Sequence, residues 1–171
     1  MQMVKKSAYI VIGVWLAIIA FMPKSELYYT VEEQLSKKEI TLNEKSIDEG
    51  FFTLTLHDVT IYVKGIALAN IEKIDFFTLL FYTSLDISEL KVDEVLHAKV
   101  PKLTKEATFS HNLFSPTTIS IDANGSVGVI DGTYDLIDKQ VHLDFVDPKE
   151  IDMVKASLKK GEKGWFYENS F

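Results

Sequence analysis

The chain of 171 residues contains no cysteine and no arginine. Without cysteine there is no thiol nucleophile, no thiolate metal site and no disulfide. Without arginine there is no planar fork for bidentate recognition of phosphate or guanine. All 18 basic residues are lysines, and 25 acids outnumber them to give a net charge of -7. That balance excludes the counterion-release footprint of a nucleic-acid binder. Histidine is also sparse, at His57, His97, His111 and His142. They show no HxH or HExxH spacing, so no metal site is expected. Gly125-x-x-Gly128 lacks the Lys-Ser/Thr of a phosphate loop, and no nucleophile elbow is present. The acids are scattered along the chain with no acid/base couple among them. The sequence thus predicts a protein that is not an enzyme, with no catalytic residues, no metal and no cofactor.

What is abundant is apolar side chain, 47% of the total. Ser7 to Pro23 carries no charge and follows Lys5 and Lys6. Seventeen helical residues span roughly 25 Å, slightly less than the ~30 Å hydrocarbon core, and aromatic and lysine flanks can make up the difference. The rival reading is a cleaved signal peptide, which ends in small residues two apart. Ala17-Ile18-Ile19-Ala20-Phe21-Met22 has no such pair. An uncleaved single-pass anchor in a bacterial inner membrane is therefore expected, with the N-terminus cytoplasmic and the rest periplasmic. Three parts follow: residues 1–23 as tip and anchor, 24–39 as an amphipathic helix or stalk, and 40–171 as a periplasmic β domain.

Over Ser25 to Glu39, Leu27, Tyr28, Val31 and Leu35 fall on one helical stripe. From Ile40 the period changes to two, as in Phe52-x-Leu54-x-Leu56, Leu85-x-Ile87, Ile119-x-Ile121 and Val141-x-Leu143-x-Phe145. Turns are expected at Lys64-Gly65, Asn124-Gly125, Asp131-Gly132 and Asp138-Lys139. A second short helix is expected between Pro148 and Gly161, carrying Ile151, Val154 and Leu158. Leu54–Ile61 repeats as Leu85–Val92, each reading apolar, x, apolar, x, acid, apolar, x, apolar. Alternation slips by one residue at Asp58 and at Glu89, so each strand must bend or bulge there to keep its apolar side chains on one face.

The anchor, the amphipathic helix, these L-x-L-x-[DE]-[VL]-x-[VI] strands and the late block Asp122–Leu136 followed by Val141–Phe145 resemble the type II secretion protein N and AsmA-like group. The periodicity predicts a mainly β fold with an amphipathic helix near each end and the repeat a folded-over antiparallel sheet, and the resemblance implies that this sheet is curved and taco-like with an apolar inner face. It also implies a role in secretion assemblies or in moving lipid across the periplasm. Asp122-Ala-Asn124-Gly-Ser126 is similar to the extended N-glycosylation acceptor of Campylobacter and its relatives, which marks Asn124 as a candidate glycan site.

Two aromatic clusters complete the candidates. Phe76, Phe77, Phe81 and Tyr82 belong to a seven-residue apolar run, read as a buried crossover or short helix plugging the sheet, or as a groove wall. Trp165, Phe166, Tyr167 and Phe171 are either a closing strand or a partner-binding tail. The leading expectation is a scaffold subunit of an envelope-spanning machine, either a periplasmic disk of a flagellar motor or a type II-like secretion apparatus. Its partners would be neighbouring subunits, the inner membrane through residues 7–23, further copies within a ring, and no nucleic acid. The alternative is an AsmA-like domain that shields lipid acyl chains. A carrier needs an open apolar trough, whereas a scaffold fills its fold with side chains such as Phe76, Phe81, Tyr82, Phe109 and Phe114.

Overall fold

The computed structural model describes residues 2–97, 100–161 and 164–171. It opens with helix α1 (Gln2–Phe21), breaks at Met22-Pro23, and continues as α2 (Lys24–Ser36). The two expected N-terminal helices therefore form. Among the described residues, however, no single helix is long and apolar enough to cross a membrane; Lys5–Phe21 and Lys24–Ser36 meet that test only together, across a bend of 57°. The physical reason is length, since proline removes a backbone donor and divides the run.

The remainder is one antiparallel sheet of eleven strands among the described residues. These are β1 (Ile40–Asn43), β2 (Ser46–Glu49), β3 (Thr53–Val63), β4 (Ile66–Leu79), β5 (Tyr82–Val92) and β6 (Leu103–Asn112). They continue with β7 (Thr118–Gly125), β8 (Gly128–Asp135), β9 (Gln140–Pro148), β10 (Lys159–Gly161) and β11 (Gly164–Ser170). From β3 to β9 each strand pairs with the next as a meander, and β11 then pairs with β9 and with the edge strand β10. Both β1 and β2 pair with β3, one after the other along its length.

The slip in alternation is visible in the backbone. Asp58 and Glu89 are left-handed, at φ 49° and 52°. Leu54 and Leu56 before Asp58, and Val59 and Ile61 after it, consequently share the core; Ile87 and Leu90 do the same around Glu89. His57 pairs with Lys73 and Val59 with Ile71, while Lys73 pairs with Ser88 and Ile71 with Leu90. Asp58, Glu72 and Glu89 are thus aligned across three strands. The line extends to the edge, where β1 gives way to β2 at Glu44-Lys45. There the Lys45 amide donates to the His57 carbonyl at 3.0 Å and its ammonium meets Asp58 at 3.2 Å.

Several expectations are corrected. Phe76–Tyr82 is neither crossover nor helix: Phe76 and Phe77 end β4, Leu80-Phe81 is a two-residue turn, and Tyr82 begins β5. A short apolar run is compatible with either element, and here the hairpin pairing decides. The turn near Asn124 lies two residues later, at Ser126-Val127, with Gly125 opposite Gly128. Asp131-Gly132 lies within β8, where Gly132 serves close packing, because a Cβ there would collide with the His142 carbonyl. Between β9 and β10 the expected helix is replaced by two 3-10 turns, Ile151–Met153 and Lys155–Ser157. So short a segment does not recover the cost of nucleating an α-helix. Lys64-Gly65, with φ 53° and 79°, is the tight turn expected.

Candidate functional site

Because the pairing is in register, one face of the sheet is a set of apolar rows running across the strands. The first row reads Leu54, Phe76, Leu85, Phe109, Ile121, Gly132, Leu143 and Tyr167, from β3 to β11. The second reads Ile47, Leu56, Ile74, Ile87, Ala107, Ala123, Ile130, Phe145 and Trp165. From β3 to β11, seven strand-to-strand steps make each row about 34 Å long.

The two ends of this face are covered differently from its middle. At one end α2 packs on β1, β2 and β3. It is held by Glu49, whose carboxylate accepts from the Lys24 amide at 2.9 Å and from the Ser25 hydroxyl at 2.5 Å. The Ser25 hydroxyl and the Lys24 amide hold the Glu49 carboxyl below the usual carboxylate range. Further along α2, the buried Tyr28 hydroxyl donates to Glu44 at 2.7 Å. Burial, reinforced by Glu44, pushes the phenol upward, so it remains a donor. Of the predicted stripe, Tyr28 is buried, whereas Leu27 and Val31 stay half exposed at the rim of a cavity of about 250 Å³. That cavity is lined by Leu54, Leu56, Ile74, Phe76 and Leu85 of the two rows, and by Lys24. Lys24 is 2% exposed, and its ammonium donates to the Met22 carbonyl at 3.3 Å. At the far end the 3-10 turns bring Met153, Val154 and Leu158 over a second cavity of about 320 Å³, lined by Ile130, Leu143, Phe145 and Tyr167 of the same two rows. Ile87, Phe109, Ile121 and Ala123 lie between, each half-buried.

The opposite face is polar and acidic. The row between the two apolar ones reads Asp48, Thr55, Asp75, Asp86, Thr108, Asp122, Asp131, Asp144 and Phe166. Like charges directly opposite one another destabilise a sheet, and threonines and cations moderate the repulsion. Thr55 and Thr108 donate to Asp75 and Asp86 at 2.6 Å, and Lys73 meets Asp75 at 2.6 Å. Partial burial opposes ionisation of Asp75, but the Lys73 and Thr55 bonds and the lysine charge outweigh it and lower its pKa. Among the described residues no group of three or more His, Asp or Glu is arranged to hold a metal ion.

The aromatic candidates separate. Phe76 lies on the apolar face, and Phe77 lies on the polar side opposite Thr53 and Ser84. Phe81 and Tyr82 are 49% and 43% exposed at a hairpin tip and do not plug the sheet; Phe114, 88% exposed, joins Phe81 at a ring distance of 6.2 Å. Trp165, Phe166 and Tyr167 are half-buried in β11, and Phe171 projects beyond it. The Lys155 and Lys160 ammonium groups lie 5.5 and 5.9 Å from the Trp165 ring. Asn124 is exposed in β7, between Glu106 and Val129. Sequence reasoning missed the Glu49 cap, the burial of Lys24 and the acidic row. Only the row had a signal, an aspartate at the outward position of strand after strand. No family model, curated protein or solved structure matches the chain.

Proposed function

We propose that this protein is a non-catalytic, membrane-anchored lipid-handling domain of a bacterial envelope, whose sheet folds over along the Asp58–Glu72–Glu89 line and shields an acyl chain on its apolar face. One observation carries the reading: the same two apolar rows line a cavity at each end of the sheet, with half-buried side chains between. Each row, about 34 Å long, exceeds the ~15 Å of a single leaflet's chains. Three of the aromatics that would fill a solid scaffold, Phe81, Tyr82 and Phe114, are exposed instead. The accessible surface of 11495 Å² stands well above the ~8,500 Å² expected for a compact chain of this mass. Helix α1 supports an anchor in the inner membrane, since Tyr9, Ile10, Val11, Val14, Trp15 and Ile18 are each about half exposed or more around its circumference. The domain then lies on the periplasmic side. The test is cross-linking in native membranes with a phospholipid carrying a photoreactive acyl chain. Adducts on Leu56, Ile87 or Ala123 support the reading, and adducts confined to α1 overturn it.

A second reading, a scaffold subunit of a flagellar-motor disk or type II-like secretion apparatus, is favoured by one feature. The edge strand β10 pairs only with Gly164–Phe166, which leaves Tyr167–Ser170 with a single strand neighbour among the described residues. Such an edge accepts a partner strand. Stoichiometric recovery of machine components from cross-linked membranes, without bound phospholipid, would favour this reading over the first.

A further inference from the structure

The meander sends every second connection to the same end of the sheet. That end holds the β2–β3 loop (50–52), the β4–β5 turn (80–81), the β6–β7 loop (113–117), the β8–β9 loop (136–139) and the end of β11. Each presents a large apolar side chain to solvent: Phe51 (70% exposed), Phe81, Phe114, Ile137 (73%) and Phe171 (74%). Among these loops only Asp138 and Lys139 are charged. Turns at the opposite end carry Lys64, Asp93, Glu94, Lys149 and Glu150, alongside the exposed Ile66, Val95 and Val100. The apolar tips do not serve the trough, because they project from the strand ends rather than from the apolar face.

We infer that this row of hairpin tips is a second membrane contact, which lays the whole lower edge of the sheet against the leaflet surface beside α1. The occupant is a phospholipid bilayer, on three grounds. The last turn of α1 reaches this same end, where Ala20 lines a shallow depression with Glu49, Gly50 and Phe51. Glu49 fixes the start of α2 there, so the chain leaves α1 at the level of the tips. The tips also share a depth, because register pairing brings each hairpin back to the same edge. A line of shallow aromatic and aliphatic side chains suits the bilayer interface. The strands then stand on the membrane and the trough runs parallel to it, open to chains drawn from the leaflet.

This inference rests on the anchored reading of α1, and one experiment separates the two. The absence of native cysteine permits single-cysteine variants of the full chain in phospholipid vesicles, each carrying an environment-sensitive fluorophore. Probes are placed at Ile10→Cys in α1, at Phe51→Cys, Phe114→Cys, Ile137→Cys and Phe171→Cys on the tips, and at Lys64→Cys and Lys149→Cys opposite. Lipids bearing nitroxides at shallow depth should quench all four tip probes several-fold more than the opposite pair. Quenching at Ile10 and Phe51 alone would mean that the sheet stands away from the membrane, which overturns the inference and leaves the anchor intact. No quenching at Ile10 would overturn the anchor as well. Protection of the tips that depends on protein concentration and not on nitroxide lipid would assign the edge to a second copy, and would also overturn it.

Discussion

Replacing Asp58 by valine tests the left-handed backbone position on which the shared apolar face depends. At φ 49° an L-residue is left-handed, which costs about 1–2 kcal/mol, with aspartate tolerating it better than most and a β-branched side chain worst. Glycine at position 58 removes that cost but gains about 0.5–1 kcal/mol of unfolded-chain freedom. It also removes the Lys45 pair, which joins exposed side chains and contributes at most about 1 kcal/mol. Asp58→Gly should therefore stay within about 1 kcal/mol of the parent protein. Asp58→Val should lose about 2 kcal/mol, a fall of about 4–8 °C in Tm for a chain of this size. The same ordering is expected at Glu89, at φ 52°. The sites lie two strand spacings apart, about 9.6 Å, so the double valine variant should be additive within about 0.5 kcal/mol. Thermal unfolding in detergent, followed by circular dichroism, measures all of these. A valine variant as stable as its parent would refute the reasoning, since the strand could then run straight with Val59 and Ile61 no longer on the side of Leu54. A glycine variant as damaged as the valine one would show that the aspartate side chain, not the backbone conformation, carries the effect.

Other expectations follow from the contacts that hold α2 and the sheet. Tyr28→Phe removes the 2.7 Å bond to Glu44 and should lower the urea midpoint by about 1 kcal/mol equivalent, with an unchanged slope. The Glu49 carboxyl is held below its ordinary pKa near 4.5, so its contribution is complete above that pH and is lost as pH falls through the lower folded value. Glu49→Gln should abolish the corresponding acid step in α2 protection, as read by hydrogen exchange at Leu27–Val31. Gly132→Ala places a methyl group against the His142 carbonyl and should destabilise by about 1–3 kcal/mol in thermal unfolding. If Asn124 carries a glycan in its native host, intact mass should show a saccharide increment that Asn124→Gln loses; equal masses after correction would leave the acceptor unused.

Period-two alternation in a single chain was enough to establish a mainly β domain after two N-terminal helices. The repeated slip at an acid located Asp58 and Glu89 as the positions where the strand backbone turns left-handed, because a one-residue change of phase must be absorbed locally to keep leucine and valine on one face. These are local consequences of side-chain period. What depended on pairing stayed hidden. Gly132 reads as a turn until its strand lies beside His142 and Leu143, and Phe76–Tyr82 reads as helix or strand alike until β4 pairs with β5. The glutamate that caps α2 is 25 residues from Lys24, and no local signal links them. The apolar tips fall roughly thirty residues apart, one to each pair of strands, and share an edge only because the meander returns to it. Composition and alternation decide which side chains leave water, whereas register decides which of them meet. The apolar rows and the tip row are products of register.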